Sequence, residues 1–350
     1  MKNKIKFLTI ATVMAFILGS ILVTSCTKEG PEGKPGLDGL DGKDGAESCS
    51  SCHNFSENLV AILSQYGNSK HAKGVNTDRN GEACSRCHTS MGFRNYIHDG
   101  TTSDISNPTP INCRTCHHIH ETYTLNDYEL RTTAAVDLVV GNGQYDYGSS
   151  NMCAHCHQSR PLAFYPDPGA ADVTINAGLA RYGPHYGPQA NMLVGTGPYE
   201  FPGMAYINSA HSNPQFVNNG CVTCHMGPAA GIWGGGHQMN IKYTTGSGGT
   251  AYQYNGCLGS GCHNSTADVT ALINPNRTEI QQLTYELRDL LQDKGLLNAA
   301  ELIPVGIQVS QLDMAAILNY KFVYGDASYG AHNYRYTKAL LVNTLAYLNQ

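Results

Sequence analysis

The sequence predicts a mainly α and irregular fold, built from short helices gathered around bound groups and finished by a longer helical C-terminal part. Three observations predict it. Five copies of Cys-x-x-Cys-His and one stretched copy are spread between Cys49 and His263. The region that holds them, 47–275, is rich in Gly, Asn, Pro and Tyr and shows little sustained periodicity, so few elements should exceed two turns. Beyond residue 275 a 3.6-residue apolar period sets in and continues to the C-terminus. The composition agrees. Charged residues make up only 14% of the 350 and glycine accounts for 38, which is poor material for a large aliphatic core. The net charge of −5 comes with no basic patch, which argues against a nucleic-acid partner. Thirteen cysteines are far above cytosolic usage.

The first 25 residues read as a lipoprotein signal peptide. Lys2, Lys4 and Lys6 form a positive start, and 7–23 is apolar. Val23-Thr24-Ser25-Cys26 resembles the bacterial lipobox, with cleavage before Cys26 and lipid on its thiol. An ordinary secretory signal peptide that contains a cysteine is the alternative reading. No second apolar run approaches the roughly 20 residues needed to span a bilayer, so an anchored protein is expected. Thr27, where an aspartate would argue otherwise, points to the outer membrane, facing the periplasm or the cell surface. Residues 26–46 follow as a collagen-like tether, with glycine at 30, 33, 36, 39, 42 and 45. An extended, solvated linker is expected, with a trimerising stalk as the alternative.

The repeats carry the chemistry. They are Cys49-Ser-Ser-Cys52-His53, Cys84-Ser-Arg-Cys87-His88, Cys113-Arg-Thr-Cys116-His117, Cys153-Ala-His-Cys156-His157 and Cys221-Val-Thr-Cys224-His225. Each is the attachment pattern for haem c. Two thiols add across the two vinyl groups, and the next histidine falls under the iron as its proximal ligand. Zinc would ask for four ligands per site and disulfides would ask for no histidine, so neither explains a histidine fixed behind every second cysteine. The sixth copy, Cys257-Leu-Gly-Ser-Gly-Cys262-His263, keeps the informative end. Its Gly-rich insert can bulge without moving either thiol, so six haem c groups are expected, with a disulfide as the alternative at this position.

Fifteen histidines are present, and six are proximal. The remaining nine can supply six distal ligands. His71 in Asn-Ser-Lys-His and His211 in Asn-Ser-Ala-His each precede an attachment motif, which is an internal repeat. These segments resemble the distal-ligand segments of the multihaem cytochromes related to nitrite reductases, hydroxylamine oxidoreductases and octahaem tetrathionate reductases. The resemblance extends over about 49–345. It implies distal roles for His237 in Gly-Gly-Gly-His-Gln-Met, for His185 in Tyr-Gly-Pro-His-Tyr-Gly-Pro, and for His332 in Asp-Ala-Ser-Tyr-Gly-Ala-His-Asn. In Cys-His-His-Ile-His-Glu the sixth distal ligand is His120, with His118 as the alternative. His98 and His155 are reserves, and the spare histidines leave room for a homo-oligomer or filament.

The C-terminal region, 276–350, completes the haem domain through His332. A capping box at Thr278 and Gln281 starts a helix with Ile280, Leu283, Leu287, Leu290 and Leu291 on one face, and Gly295 ends it. Ser310 and Asp313 start a second helix, to about Phe322. A third runs over about 336–348, with Leu341, Leu345 and Leu348 aligned.

Six bis-histidine sites would leave no open iron, so the expected role is electron transfer at the outer membrane or cell surface. Other cytochromes or redox carriers would be its partners and the lipid anchor its tie to the membrane. The alternative is a reductase of nitrite, hydroxylamine or a sulfur oxyanion with one open site. The resembling nitrite reductases mark that site with Cys-x-x-Cys-Lys, and no such motif occurs here.

Overall fold

The computed structural model describes residues 52–53, 57–74, 76–259 and 262–350. The signal peptide, Cys26, the Gly-X-Y tether and Cys49 lie outside the described residues. The fold is mainly α and irregular. Its regular elements up to residue 259 are short: α1 (Glu57–Gly67), α2 (Glu82–His88), α3 (Ser90–Asp99), α4 (Cys113–Cys116), α5 (Asn151–Ala154), α6 (Gln189–Val194), α7 (Gly220–His225) and α8 (Asn255–Gly259). Three antiparallel two-stranded ladders punctuate them. They pair β1 (Val136–Asp137) with β2 (Gln144–Tyr145), β3 (Val173–Thr174) with β6 (Gln308–Val309), and β4 (Lys242–Thr244) with β5 (Thr250–Tyr252).

Long helices come last: α9 (Thr266–Asp293), α10 (Gln311–Asp326) and α11 (Tyr334–Leu348). They form the larger hydrophobic core. Ile280, Leu287 and Leu291 of α9 meet Met314, Ile317, Leu318 and Phe322 of α10 and Tyr336, Leu340 and Leu341 of α11. Helix α10 is buried nearly all round, as a helix apolar on every side must be. Leu283 and Leu290 flank this core, and Gly295 follows α9 with φ +71°.

One expectation is corrected. Helix α9 begins twelve residues before Thr278, with Ser265 as its cap, accepting from the amide of Asp268. Thr278 is interior and its hydroxyl donates to the carbonyl of Asn274. Pro275 sits inside the helix, where its missing N–H leaves one backbone hydrogen bond unmade. The sequence boundary at 275/276 therefore falls within α9. The second helix starts at the expected cap, Ser310, which accepts from the Asp313 amide at 3.1 Å, and it runs on to Asp326.

The N-terminal half is different. Before Val136 the buried apolar side chains are Phe93 and Ile105. Helix α1 carries Val60, Ile62 and Leu63, all exposed, and none of its residues is buried. It lies against the Gly236–Gln238 turn, where Gln65 accepts from the amide of His237 at 3.0 Å. No described helix is long and apolar enough to cross a membrane.

Candidate cofactor sites

One helical turn shapes the attachment motifs. In α2, α4 and α7 the two cysteines stand three residues apart on one helix face, and the histidine ends or follows the turn. Asn112 caps α4 through a capping box with Thr115, whose hydroxyl donates to Ser90 on α3 at 2.7 Å. Tyr145 holds the fifth motif: its hydroxyl lies 3.0 Å from the Cys221 thiol and also accepts from the Cys221 amide. In the sixth motif α8 carries Cys257 and ends at Gly259, and Cys262 follows beyond it. The cysteines of the second to fifth motifs are in no disulfide. Among the described residues no group of three or more His, Cys, Asp or Glu converges as a zinc site would require.

Each histidine that follows a motif's second cysteine faces another histidine ring. The pairs and their centroid separations are His53–His120 at 6.0 Å, His71–His157 at 6.1 Å, and His88–His185, His117–His237 and His211–His263 at 6.3 Å, with His225–His332 at 6.4 Å. Metal–imidazole bonds of about 2.0–2.1 Å on either side of one ion, plus two ring radii, add up to about 6 Å. The spread over six pairs is only 0.4 Å, from 6.0 to 6.4 Å, although the paired residues come from remote parts of the chain.

The second ring nitrogen is anchored in five of these residues. Nδ1 meets the carbonyl of Tyr128 from His117 (2.6 Å), of Met239 from His225 (2.9 Å) and of Ala331 from His211 (2.8 Å). That of His157 meets the amide oxygen of Gln189 at 3.2 Å, and that of His332 meets Asp326 at 2.6 Å. An Nδ1–H held in this way leaves Nε2 as a lone-pair donor. Burial lowers the pKa of His88, His185, His225 and His237, and brings His71 down to about 4 with help from the facing His157. Neutral rings are what metal coordination needs. In His332 burial acts the same way, but Asp326 outweighs it and the pKa rises.

The structure brings His120, not His118, to a proximal ring. His118 turns to Glu121 at 2.6 Å, and exposed His98 pairs with neighbouring Asp99. His155 packs edge-on against Phe93 and Tyr96, and neither of its ring nitrogens has a partner. Burial and the Arg86 guanidinium push its pKa down to about 4.

Several features were not read from the sequence. Arg86 Nε, Arg94 Nε and Arg131 Nη2 are buried donors with no protein acceptor. The Arg94 pKa is lowered by burial and by the nearby charges of Arg114 and Arg131. Such donors gather around motifs two to four and suit an anionic carboxylate, the group that haem carries on its propionates. Sequence spacing offered no signal for them beyond two arginines inside attachment loops, Arg86 and Arg114. The donor set thus fits haem c: paired thiols, facing imidazoles and buried cationic donors.

Attachment sites adjoin in space in an order unlike the sequence. The Cys87 thiol lies beside that of Cys156, as Cys153 lies beside Cys221 and Cys224 beside Cys257. The first and third motifs share Tyr128, whose hydroxyl donates to the Cys52 carbonyl at 3.3 Å while its carbonyl anchors His117. Cys116 of the third motif lies within electrostatic reach of Cys153 and Cys156.

Among solved structures, the fold is similar to the crystal structure of the outer cell wall cytochrome OcwA. The TM-score is 0.52 at 22% sequence identity, and the match covers 81% of this chain and 49% of that one. The chain thus spans about half the length of the structure it matches. No protein-family model and no curated protein matches the chain.

Proposed function

We propose that this chain is a multihaem c-type cytochrome that transfers electrons at the outer membrane or cell surface. The observation that carries the proposal is the set of six facing histidine pairs, each 6.0–6.4 Å between ring centres. In this reading Cys49, Cys52, Cys84, Cys87, Cys113, Cys116, Cys153, Cys156, Cys221, Cys224, Cys257 and Cys262 attach six haems. His53, His88, His117, His157, His225 and His263 are the proximal ligands, and His120, His185, His237, His71, His332 and His211 are their respective distal partners. Each haem would supply an iron that takes up and releases one electron at a time.

The chain's own residues do the rest. Each facing pair of imidazoles would hold one iron between them, and an iron so held would exchange electrons rather than bind a substrate. Nδ1 anchors hold the rings in place. The buried donors of Arg86, Arg94 and Arg131 would neutralise the charge of haem propionates. Contacts between attachment sites run from the first motif through the third to the fourth, and from there to the second on one side and to the fifth and sixth on the other. The shared fold with an outer cell wall cytochrome supports a surface location, and the Cys26 lipobox supports an anchored one. The Asn-Ser-x-His repeat and the C-terminal Asp-x-Ser-x-Gly-x-His-Asn element support kinship with the nitrite reductase, hydroxylamine oxidoreductase and tetrathionate reductase superfamily.

Mass spectrometry of the mature protein should show six covalent haems, and electron paramagnetic resonance of the oxidised form should show low-spin signals alone. A substantial high-spin signal that changes with nitrite would instead favour a reductase with one open site. Five haems would remove Cys257 and Cys262 from the scheme.

A further inference from the structure

The paired histidines differ in what holds their second nitrogen. His117, His225 and His211 donate to the carbonyls of Tyr128, Met239 and Ala331, and His157 to the Gln189 amide oxygen, all neutral acceptors. His332 meets Oδ1 of Asp326 at 2.6 Å. Among the described anchors of the six pairs, this one is a carboxylate. The Asp326 side chain is 2% exposed, and its ion-pair partner among the described residues is His332. Its other oxygen, Oδ2, accepts from the Ser328 hydroxyl. Asp326 is also the last residue of α10, where the helix carbonyls add negative potential. Little water screens a charge so placed.

We propose that Asp326 makes the His225–His332 site the lowest-potential site of the chain. The inference rests on the multihaem reading above. A carboxylate that draws on the Nδ1 proton pushes electron density towards Nε2, and the ring becomes a stronger donor to a metal bound there. The more positive, oxidised state gains most from that donor and from the buried negative charge, so the reduction potential falls. The opposite holds at the third motif. Arg94, Arg114 and Arg131 crowd around the third motif, with Glu121 as the one carboxylate paired there. Positive charge at that place favours the reduced state. The low-potential site lies inside the array, since the Cys153–Cys221 contact joins it to the fourth motif and the Cys224–Cys257 contact joins it to the sixth. An electron placed there runs downhill in both directions, and the sixth site communicates with the rest across this step.

The test is a spectropotentiometric titration of the full haem-loaded protein, wild type against Asp326→Asn, followed by low-spin resonance signals. One component, the lowest in the wild type, should move to higher potential while the others hold. Its low-spin signal should change g-anisotropy in the same variant. Asp326→Glu should keep that component low. Ser328→Ala leaves the carboxylate but strips its second hydrogen bond, so the same component should move lower; this variant decides the matter if Asp326→Asn does not fold. Unchanged components in Asp326→Asn, or an unchanged or raised one in Ser328→Ala, overturn the inference. A wild type without low-spin haem would fail at the first scan and would count against the multihaem reading itself.

Discussion

Asp127 holds the His120 turn by collecting the amides around it. It accepts from the backbone N–H of His120 and of Thr122 at 2.8 Å, from that of Tyr123 at 3.1 Å and from the Thr122 hydroxyl at 2.7 Å. These bonds close a turn in which His120 and Tyr123 take φ values of 65° and 56°, a region that residues other than glycine occupy only when held there. Burial alone would raise the Asp127 pKa, yet the hydrogen bonds prevail and bring it from 3.8 to about 2. A carboxyl with a depressed folded-state pKa contributes stability above its unfolded value. That contribution is complete above pH 3.8 and is lost as pH falls through about 2. In Asp127→Asn the melting temperature should lose this part of its decline between pH 4 and pH 2. The His53–His120 site should also convert partly to high spin at neutral pH, read by electron paramagnetic resonance. The two candidates of Cys-His-His-Ile-His are separated by a second experiment. His120→Ala should remove one low-spin signal, and His118→Ala should remove none, because its ring is committed to Glu121.

Elements are tied to one another through single polar residues. Asn333, which opens α11, is fully buried. Its amide donates to the carbonyl of Leu193 at 3.1 Å and to Asn208 at 2.8 Å, and its oxygen accepts from the Ser209 amide at 2.8 Å. It thereby locks the Asn208-Ser209-Ala210-His211 turn against the segment that carries His332, and the Ala331 carbonyl anchors His211 directly. Asn333→Ala removes three hydrogen bonds, of which the one to Leu193 is buried. It should cost roughly 1–3 kcal/mol and disturb the His211–His263 and His225–His332 sites together, seen as the joint loss of two low-spin signals. The fifth and sixth attachment turns also meet backbone to backbone. A Cβ on Gly256 would overlap the carbonyls of Thr223 and Cys224, and one on Gly227 would overlap Gly256. Gly256→Ala should therefore lower haem content at these two sites, measured by the mass of the intact protein, more than it lowers the helical circular-dichroism signal.

At the scale of the molecule, two kinds of interior share one chain. The three long helices enclose an aliphatic and aromatic core, and α10 threads it with Met314 to Leu318 at 0% exposure. Leu318→Ala should cost about 2–5 kcal/mol, the usual loss for a core leucine, seen as a lower melting temperature. The N-terminal half has few such side chains, and its histidine pairs, thiols and arginines stand where a core would otherwise be.

Much of this was legible in the sequence, and the limits have physical causes. The cap at Ser310, the leucine faces of α9 and α11 and the stop at Gly295 were readable because they depend on residues within one or two turns. The start of α9 was misread because Thr278 and Gln281 match a capping box locally, whereas the cap is Ser265 and Thr278 lies inside the helix. The attachment motifs and a pool of candidate rings were readable for the same local reason: thiol spacing and the adjacent histidine are set by a single turn. Which ring faces which was beyond reach, since His117 meets His237 and His225 meets His332 across more than a hundred residues of chain. The sequence by itself determined the class of fold, the helical ends and the chemistry of the motifs, because these follow from neighbours along the chain. The tertiary structure alone decided the six pairings, the order in which the sites adjoin and the carboxylate behind His332, because each depends on distances that only a packed chain defines.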